Sequence, residues 1–410
     1  MSKKNQPQRE SICVVGLGYI GLPTSAALAA RGFTIHGVEI SQDVVDTINA
    51  GETHIVEPEL DLLVRAAVDS GRLKAHTEPV EADIFMVCVP TPLTSEKTAD
   101  LNAVWSASKA IAPFVRPGNI VILESTSPPK ATERMEEIIL QESGLQPGEV
   151  HFAHAPERVL PGHILREVIE NDRIVGGTNE AATAAAAAFY EKFVSGRVLQ
   201  TTARTAELAK LVENSYRDTN IAFANELSLV CDELEIDVWE LIALANRHPR
   251  VNILTPGPGV GGHCLAVDPW FIVELVPETA RLIRTSREVN EGKPDWIVDR
   301  VKRKAERFRQ PRIACLGLAY KPDVDDLRES PALEIAIDLA KAGIGEVFAI
   351  DPYVDEHPDL TLRPLEDGLE DIDIVVLLVS HRQFKRMPRQ WLREKAVIDV
   401  CGMFAQLNID

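Results

Sequence analysis

Residues Ser11 to Val15 form a short apolar run that ends in Gly16-Leu17-Gly18-Tyr19-Ile20-Gly21. An alanine-rich stretch of helical character follows from Pro23 to Arg31, and a second apolar run, Thr34 to Val38, stops at Glu39. Strand, glycine turn, helix and return strand in that order predict a βαβ unit, which commits this half of the chain to a parallel sheet. Ile84 to Val89 and Ile120 to Leu123 predict further strands separated by helix-like stretches, and the alanine run Ala184 to Ala188 reads as helix. The first α/β domain is expected to end near residue 200.

From Thr205 to Asn246 the pattern changes. Leu208, Leu211, Val212, Tyr216, Ile221, Phe223, Leu227 and Val230 recur near helical period, and no proline intervenes before Pro249. One long helix is the simplest reading, and two stacked helices fit the pattern equally well. After Pro311 the α/β rhythm restarts, with strands expected at Ile313 to Leu318, Glu346 to Ile350, Ile374 to Val379 and Ala396 to Val400 and a helix at Ala332 to Ala342. The expected fold class is α/β, with two Rossmann-like doubly wound domains joined by a long central helix and a helical middle domain. The boundaries fall at residues 1–203, 204–305 and 306–410, a division suited to a chain of 410 residues, too long for one ordinary core.

With 62 acidic and 43 basic side chains the formal charge is -19, which argues against nucleic acid or an anionic membrane surface as partner. An anionic ligand would need a local basic pocket. The six cysteines have no paired short spacings, so neither a disulfide framework nor a metal site is expected and the context looks reducing. The polar start, Met1 to Pro7, has no apolar signal core, and no run approaches the ~18 apolar residues of a membrane span. The expectation is a soluble cytoplasmic protein.

Gly257-Pro258-Gly259-Val260-Gly261-Gly262-His263-Cys264 delivers a cysteine close to Asp268. Glycines remove side-chain bulk and permit positive φ, so such a loop lets backbone amides approach a ligand while presenting the thiol. The other cysteines lie in apolar strand-like runs (Cys13, Cys88, Cys315, Cys401) or a helix-like run (Cys231) and read as core residues.

The turn Gly16-x-Gly18-x-x-Gly21 follows a strand, opens a helix and has Glu39 at the end of the next strand. That context predicts a dinucleotide, its pyrophosphate at the helix N-terminus and its ribose on the carboxylate. An acid there repels a 2′-phosphate, so NAD is favoured over NADP. For Glu39 alone, an ordinary surface acid is the competing reading.

A dinucleotide fold with an exposed cysteine suggests covalent catalysis during oxidation, in which a thiolate adds to an aldehyde and a thioester is left for water. Such chemistry also needs a base and an oxyanion partner. Lys210 and Asn214 stand four apart and share one helix face, although on spacing alone a solvated surface is the better reading. Glu124-Ser125-Thr126 closes a strand, at the sheet end where α/β folds bind ligands, or else supplies a helix cap.

At this point the chain resembles the UDP-glucose/GDP-mannose dehydrogenase family over nearly its whole length. The resemblance is carried by Asn246-Arg247-His248-Pro249-Arg250-Val251-Asn252-Ile253-Leu254 running into the glycine loop, and by Ala155-Pro156-Glu157-Arg158-Val159-Leu160-Pro161-Gly162 and Asn171-Asp172-Arg173. Tyr320-Lys321-Pro322-Asp323 and Asp325-Asp326-Leu327-Arg328-Glu329-Ser330-Pro331 also match. The resemblance implies that Cys264 is the nucleophile and Lys210 the proton carrier, with Asn214 and Asp268 beside them and Glu157 and Thr126 serving the hydrolytic step. It places Arg158, Val159, Lys210, Asn214, Arg217, His248, Arg250, Gly261, Tyr320 and Lys321 around a UDP-sugar. Gly16, Gly18, Tyr19, Ile20, Gly21, Glu39, Thr91, Thr126 and Arg328 are assigned to NAD. A homodimer is implied, with the Arg250 segment supplied by the neighbouring subunit.

Two departures bear on the sugar. The second acid that follows Pro-Glu-Phe-Leu in UDP-glucose dehydrogenases is replaced by Pro161, and their aromatic Phe-Gly-Tyr-Gly-Gly loop is Pro258 to Gly262 here. Both weaken UDP-glucose as substrate, and within the family the resemblance implies C6 oxidation of UDP-N-acetylmannosamine, for a surface polysaccharide precursor. Its C2 epimer UDP-N-acetylglucosamine, a two-electron alcohol dehydrogenase and a non-catalytic NAD sensor are the rivals.

Overall fold

The buried strand β1 (Ser11–Val15) has neighbours on both edges, β2 (Thr34–Val38) and β4 (Ile84–Val87), as an apolar run in a parallel sheet should. The protein is described here from a computed structural model that covers residues 10–160, 162–262, 264–366 and 369–405. The polar start, Pro161 and His263, all used above, lie outside the described residues.

The first unit continues from β1 through α1 (Gly21–Ala30), β2, α2 (Gln42–Asn49), α3 (Leu60–Asp69), β3 (Leu73–His76), β4 and α4 (Asn102–Ile111). Then come β5 (Ile120–Leu123), α5 (Ala131–Ser143), β6 (His151–His154), α6 (Ile164–Glu170), β7 (Arg173–Gly177), α7 (Glu180–Tyr190) and β8 (Val198–Thr202). The sheet order is β3-β2-β1-β4-β5-β6-β7-β8. All neighbours are parallel except β6 and β7, which pair antiparallel through Ala153 with Gly177. The strand order reverses between β1 and β4, and in such sheets the carboxyl ends at this switch point form the ligand crevice. Apolar layers on the two faces, Ile12, Val14, Leu22 and Leu28 on one and Phe85, Val121, Met135 and Phe152 on the other, fix the helices there.

Helix α8 (Ala203–Glu233) is followed by α9 (Val238–Ala245), α10 (Asp268–Leu275) and α11 (Arg281–Ala305). A second sheet then forms from β9 (Arg312–Leu316), α12 (Pro331–Lys341), β10 (Glu346–Ile350), β11 (Thr361–Leu362), β12 (Ile374–Leu377), α13 (Arg382–Lys385) and β13 (Ala396–Asp399). Its order is β11-β10-β9-β12-β13, parallel throughout, with the reversal between β9 and β12.

Of the two readings left open between Thr205 and Asn246, two helices are found, with the break at Leu234 to Asp237. Glu235 takes a left-handed φ of 56° and Ile236 N donates to Cys231 O, which closes α8. The Asp237 carboxylate then accepts from Trp239 N at 2.8 Å and caps α9, with Glu240 in the first turn. Helix α11 is an element that periodicity does not announce, because Pro294 lies inside it, where a backbone hydrogen bond is lost. Ile297, Val298 and Val301 of α11 join Ile313, Cys315 and Ile374 in one core, so this helix is built into the second sheet's packing. Packing divides the chain into two units, residues 1–212 and 213–410, and α8 crosses the division. Among the described residues no helix is long and apolar enough to cross a membrane, and no group of three or more His, Cys, Asp or Glu could hold a metal ion.

Candidate active site

The first-unit turn is shaped by close backbone approach. A Cβ on Gly21 would lie 1.8 Å from Gly16 O, and one on Gly16, whose φ is +92°, would lie 2.6 Å from Cys88 O. Gly16 N donates to Val38 O at 2.9 Å, which ties the turn to β2. Glu39, at the end of β2, accepts from Leu17 N at 3.1 Å and from Ile40 N at 2.9 Å. Gly18 has nothing within 4 Å of its Cβ position, so the space above the turn is open. Tyr19 is exposed and Ile20 is the residue before α1. The arrangement fits a dinucleotide: α1 presents its amides at the turn, and a carboxylate closes the next strand.

Past β4 and β5, Thr91 Oγ1 donates to Thr126 O at 2.8 Å, bringing those two expected residues together. Beneath them lies a buried polar network. Arg173 Nη1 reaches Glu157 Oε2 at 2.6 Å with both side chains almost inaccessible, and Glu157 Oε1 accepts from Arg158 N at 2.8 Å. Glu124 accepts from Tyr190 Oη at 2.6 Å and from Cys88 Sγ at 3.3 Å. Burial raises the Glu124 carboxyl above its ordinary range, against the opposing pull of Arg173. Arg158 donates to Asp172 O, and Asn171 donates to Arg158 O at 3.2 Å, so this arginine is held at its backbone and side chain. Val159 packs on the first core. Glu57 accepts from Gly162 N and Ile164 N, both at 2.8 Å, and so anchors the far end of the same loop.

Lys210 sits half-buried on α8. His154, at the end of β6, is fully buried; its ring is pushed down to about 3, by burial first and by the Lys210 charge as a lesser cause. One turn before Lys210, Glu207 accepts from Lys130 N at 2.8 Å and from Thr132 N and Oγ1 at 2.7 Å. These bonds cap α5 from α8 and pin the start of the Lys210 helix. Burial pushes the Glu207 carboxyl up to about 7. Tyr190, His154, Glu207 and Glu57 were not singled out from sequence as site residues. Glu124 stood in the Glu124-Ser125-Thr126 triplet and Arg173 in the Asn171-Asp172-Arg173 motif, without a role of their own.

In the second unit, Asn214 Nδ2 donates to Asp268 Oδ2 at 2.5 Å, uniting two expected residues. Asp268 is 2% exposed, opens α10, and its N donates to Cys264 O at 2.9 Å. Cys264 itself is exposed. The remaining thiols are buried or half-buried: burial pushes Cys13 to about 11 and Cys315 to about 12.

The glycine loop has a cause for its glycines besides the expected one. Its glycines are demanded by protein at close range: Cβ atoms would lie 2.3 Å from Glu329 O at Gly261, 3.1 Å from the Tyr320 ring at Gly262, and 3.0 Å from Pro331 at Gly259. The loop is laid against the Tyr320 to Pro331 turn. Its entry is fixed by Asn225, which accepts from Gly257 N at 2.9 Å and donates to Asn290 Oδ1 at 2.9 Å. Lys321 Nζ stands 5.4 Å from the Tyr320 ring centroid. Arg328 bonds Asp326 in a fork at 2.9 and 2.6 Å. Arg217, His248 and Arg250 are exposed; the latter two are linked by Arg250 N donating to His248 Nδ1 at 3.3 Å.

A doubly wound sheet with an acid-terminated glycine turn, and a second unit displaying one exposed thiol on a glycine loop, define a dinucleotide-dependent oxidoreductase. The chain belongs to the UDP-glucose/GDP-mannose dehydrogenase family: residues 10–194 match its NAD binding domain, 204–292 its central domain and 314–406 its UDP binding domain. It is therefore a nucleotide-sugar dehydrogenase that uses NAD. The NDP-N-acetyl-D-galactosaminuronic acid dehydrogenase of Ralstonia nicotianae is 54% identical, over 97% of each chain. The UDP-N-acetyl-D-mannosamine dehydrogenase of Escherichia coli is 50% identical, over 96% of this chain and 99% of the relative. Among solved structures, UDP-D-ManNAc dehydrogenase from Pyrococcus horikoshii superimposes with a TM-score of 0.87 at 39% identity, covering 96% of both chains.

Proposed function

We propose that this enzyme oxidises C6 of UDP-N-acetyl-D-mannosamine to the carboxylate of UDP-N-acetyl-D-mannosaminuronate, a loss of four electrons per sugar. The observation that carries the reading is the contrast among thiols: Cys264 is exposed on its loop beside the Asn214 to Asp268 hydrogen bond, whereas Cys13, Cys231 and Cys315 are buried. The Gly16 to Gly21 turn and Glu39, with Tyr19, Ile20, Thr91, Thr126 and Arg328, would hold NAD, which would supply a hydride acceptor for each of the two oxidations. Lys210 takes the C6 hydroxyl proton in the first oxidation, one turn of α8 from Asn214. Cys264 Sγ then bonds to the aldehyde carbon, giving a thiohemiacetal whose oxidation leaves a thioester. Water directed by Glu157 and Thr126 attacks that thioester, releasing the uronate and returning the thiol. Arg158, Arg217, His248, Arg250, Tyr320 and Lys321 serve the sugar nucleotide, the cations offsetting diphosphate charge on an otherwise acidic protein.

The enzyme works in the cytoplasm as a homodimer in this reading. Support comes from α8 and its continuation, where Tyr216 is 72%, Phe223 55%, Leu234 62% and Leu244 65% exposed, large apolar side chains that a second copy would cover. The partner's Arg250 segment would complete each substrate site.

A second reading, the galacto sugar, which differs from the manno sugar at both C2 and C4, is favoured by the 54% identity to the NDP-N-acetyl-D-galactosaminuronic acid dehydrogenase. The deciding experiment measures NADH against UDP-N-acetylmannosamine, UDP-N-acetylgalactosamine, UDP-N-acetylglucosamine, UDP-glucose and GDP-mannose. Two NADH per UDP-N-acetylmannosamine, with the other sugars slower, is the expected result; one NADH per sugar removes the four-electron mechanism. Cys264→Ser should stall after partial oxidation, and a normal yield of uronate from Cys264→Ala would rule out the covalent route.

A further inference from the structure

The two sheets share a local design that the second has put to a different use. In the first, Gly16 N donates to Val38 O at 2.9 Å and Leu17 N to Glu39 at 3.1 Å. In the second, Gly317 N donates to Ile350 O at 2.8 Å and Leu318 N to Asp351 at 2.6 Å. Asp351, however, is buried and consumed by protein: it also accepts from Tyr353 N at 2.9 Å and lies 3.3 Å from His381 Nε2. An acid so enclosed has no face left for a ribose.

His381 is fully buried, and its Nδ1 accepts from Asp323 N at 2.9 Å, which leaves the ring proton on Nε2, toward Asp351. Asp323 holds a left-handed φ of 62°, a conformation that a non-glycine residue keeps only when its surroundings impose it. The Asp323 carboxylate is fastened in turn, accepting from Arg382 Nε at 2.8 Å, Arg382 N at 3.0 Å and Tyr353 Oη at 3.3 Å. Tyr320 and Lys321 precede this latched residue, and the Tyr320 side chain lies against Gly261 and Gly262 of the thiol loop.

We infer that His381 is a positioning residue, whose Nδ1 latches the turn at Asp323 and thereby sets Tyr320 and Lys321 for the uridine nucleotide. The inference rests on the proposed assignment of those two residues to the substrate.

The test is titration calorimetry of the full-length enzyme with UDP, and separately with NAD, on three variants. His381→Asn keeps an acceptor oxygen near the Nδ1 position, His381→Gln moves it toward the Nε2 position, and His381→Leu removes it. His381→Leu and His381→Gln should weaken UDP roughly tenfold, as one lost hydrogen bond predicts, with NAD binding within about twofold of wild type. His381→Asn should return UDP affinity to within about threefold. Equal UDP affinities for His381→Asn and His381→Gln, or an equal loss toward NAD, would overturn the latch. Should His381→Leu fail to fold by circular dichroism, the Asn and Gln pair carries the comparison. Lys321→Ala separates the two levels: unchanged UDP binding there defeats the substrate assignment and the inference with it. Weakened UDP binding there, with His381→Gln unaffected, defeats the latch alone.

Discussion

Replacing Arg173 with Met tests whether the network beneath Thr126 is held by charge. The guanidinium is 4% exposed, pairs with Glu157 at 2.6 Å, donates to Val168 O at 3.3 Å and lies 5.2 Å from the Tyr190 ring centroid. Methionine fills much of the stem's volume but leaves Glu157 and Glu124 buried without this counter-charge. Removing one partner of a buried pair costs about 3–5 kcal/mol. For a unit of 212 residues, at roughly 2–4 °C per kcal/mol, the midpoint should fall by roughly 6–20 °C. The sign of the pH dependence follows from burial. Glu124 is already raised in the wild type, and without Arg173 the folded variant holds protons that the unfolded chain releases above about pH 4.3. Stability of the variant therefore falls as pH rises through that window, and its deficit against wild type is small near pH 5 and largest near pH 8. Urea or thermal unfolding at pH 5, 6, 7 and 8 reads this directly, and adding Glu157→Gln should recover about 1 kcal/mol or more at pH 8. A deficit below about 1 kcal/mol, or one equal at pH 5 and pH 8, would refute the electrostatic account and leave only packing.

Glu39→Ala removes the acceptor of Leu17 N and the charge opposite a 2′-phosphate, so the preference for NAD over NADP should shrink at least about tenfold by fluorescence titration. An unchanged ratio would return Glu39 to the status of a surface acid. Gly261→Ala drives a methyl to 2.3 Å from Glu329 O, a backbone atom, and should cost about 1–3 kcal/mol by thermal unfolding together with most of the turnover. Wild-type stability and activity in that variant would show that the loop and the Tyr320 turn are not in register as described.

What the sequence discloses is what is local. The run from Ser11 to Glu39 was legible because strand, turn and helix each leave a short-range pattern, and β1, β2, β5 and β10 fall at the expected residues. Cys264 was legible by contrast with thiols in apolar runs. The break after α8 had a readable signal that periodicity masked, since Asp237-x-x-Glu240 has the spacing of a capping box. The polar network had none. Glu124 meets Tyr190 across 66 positions, Glu57 meets Ile164 across 107, and Glu207 meets Thr132 across 75, and such pairs are created by the sheet's crossovers. Arg173 could be quoted as part of a motif, but its buried partner Glu157 lies in a different motif and the pairing has no spacing rule.

The glycine loop shows how a right inference about a residue type can rest on an incomplete cause. Read as sequence, its glycines bring backbone to a ligand; in the fold, Gly259, Gly261 and Gly262 bring backbone to Pro331, Glu329 and Tyr320. Both causes demand the same residue, so composition alone does not separate them. Their consequences differ. If the glycines only faced a ligand, added bulk would weaken binding and leave the protein's own loops in place. Because they face the Tyr320 turn, bulk must displace either the segment that carries Cys264 or the one that carries Tyr320 and Lys321. On the proposed assignment of Cys264 to the chemistry and of Tyr320 and Lys321 to the nucleotide, the two are then coupled through packing, and one methyl at Gly261 should impair both.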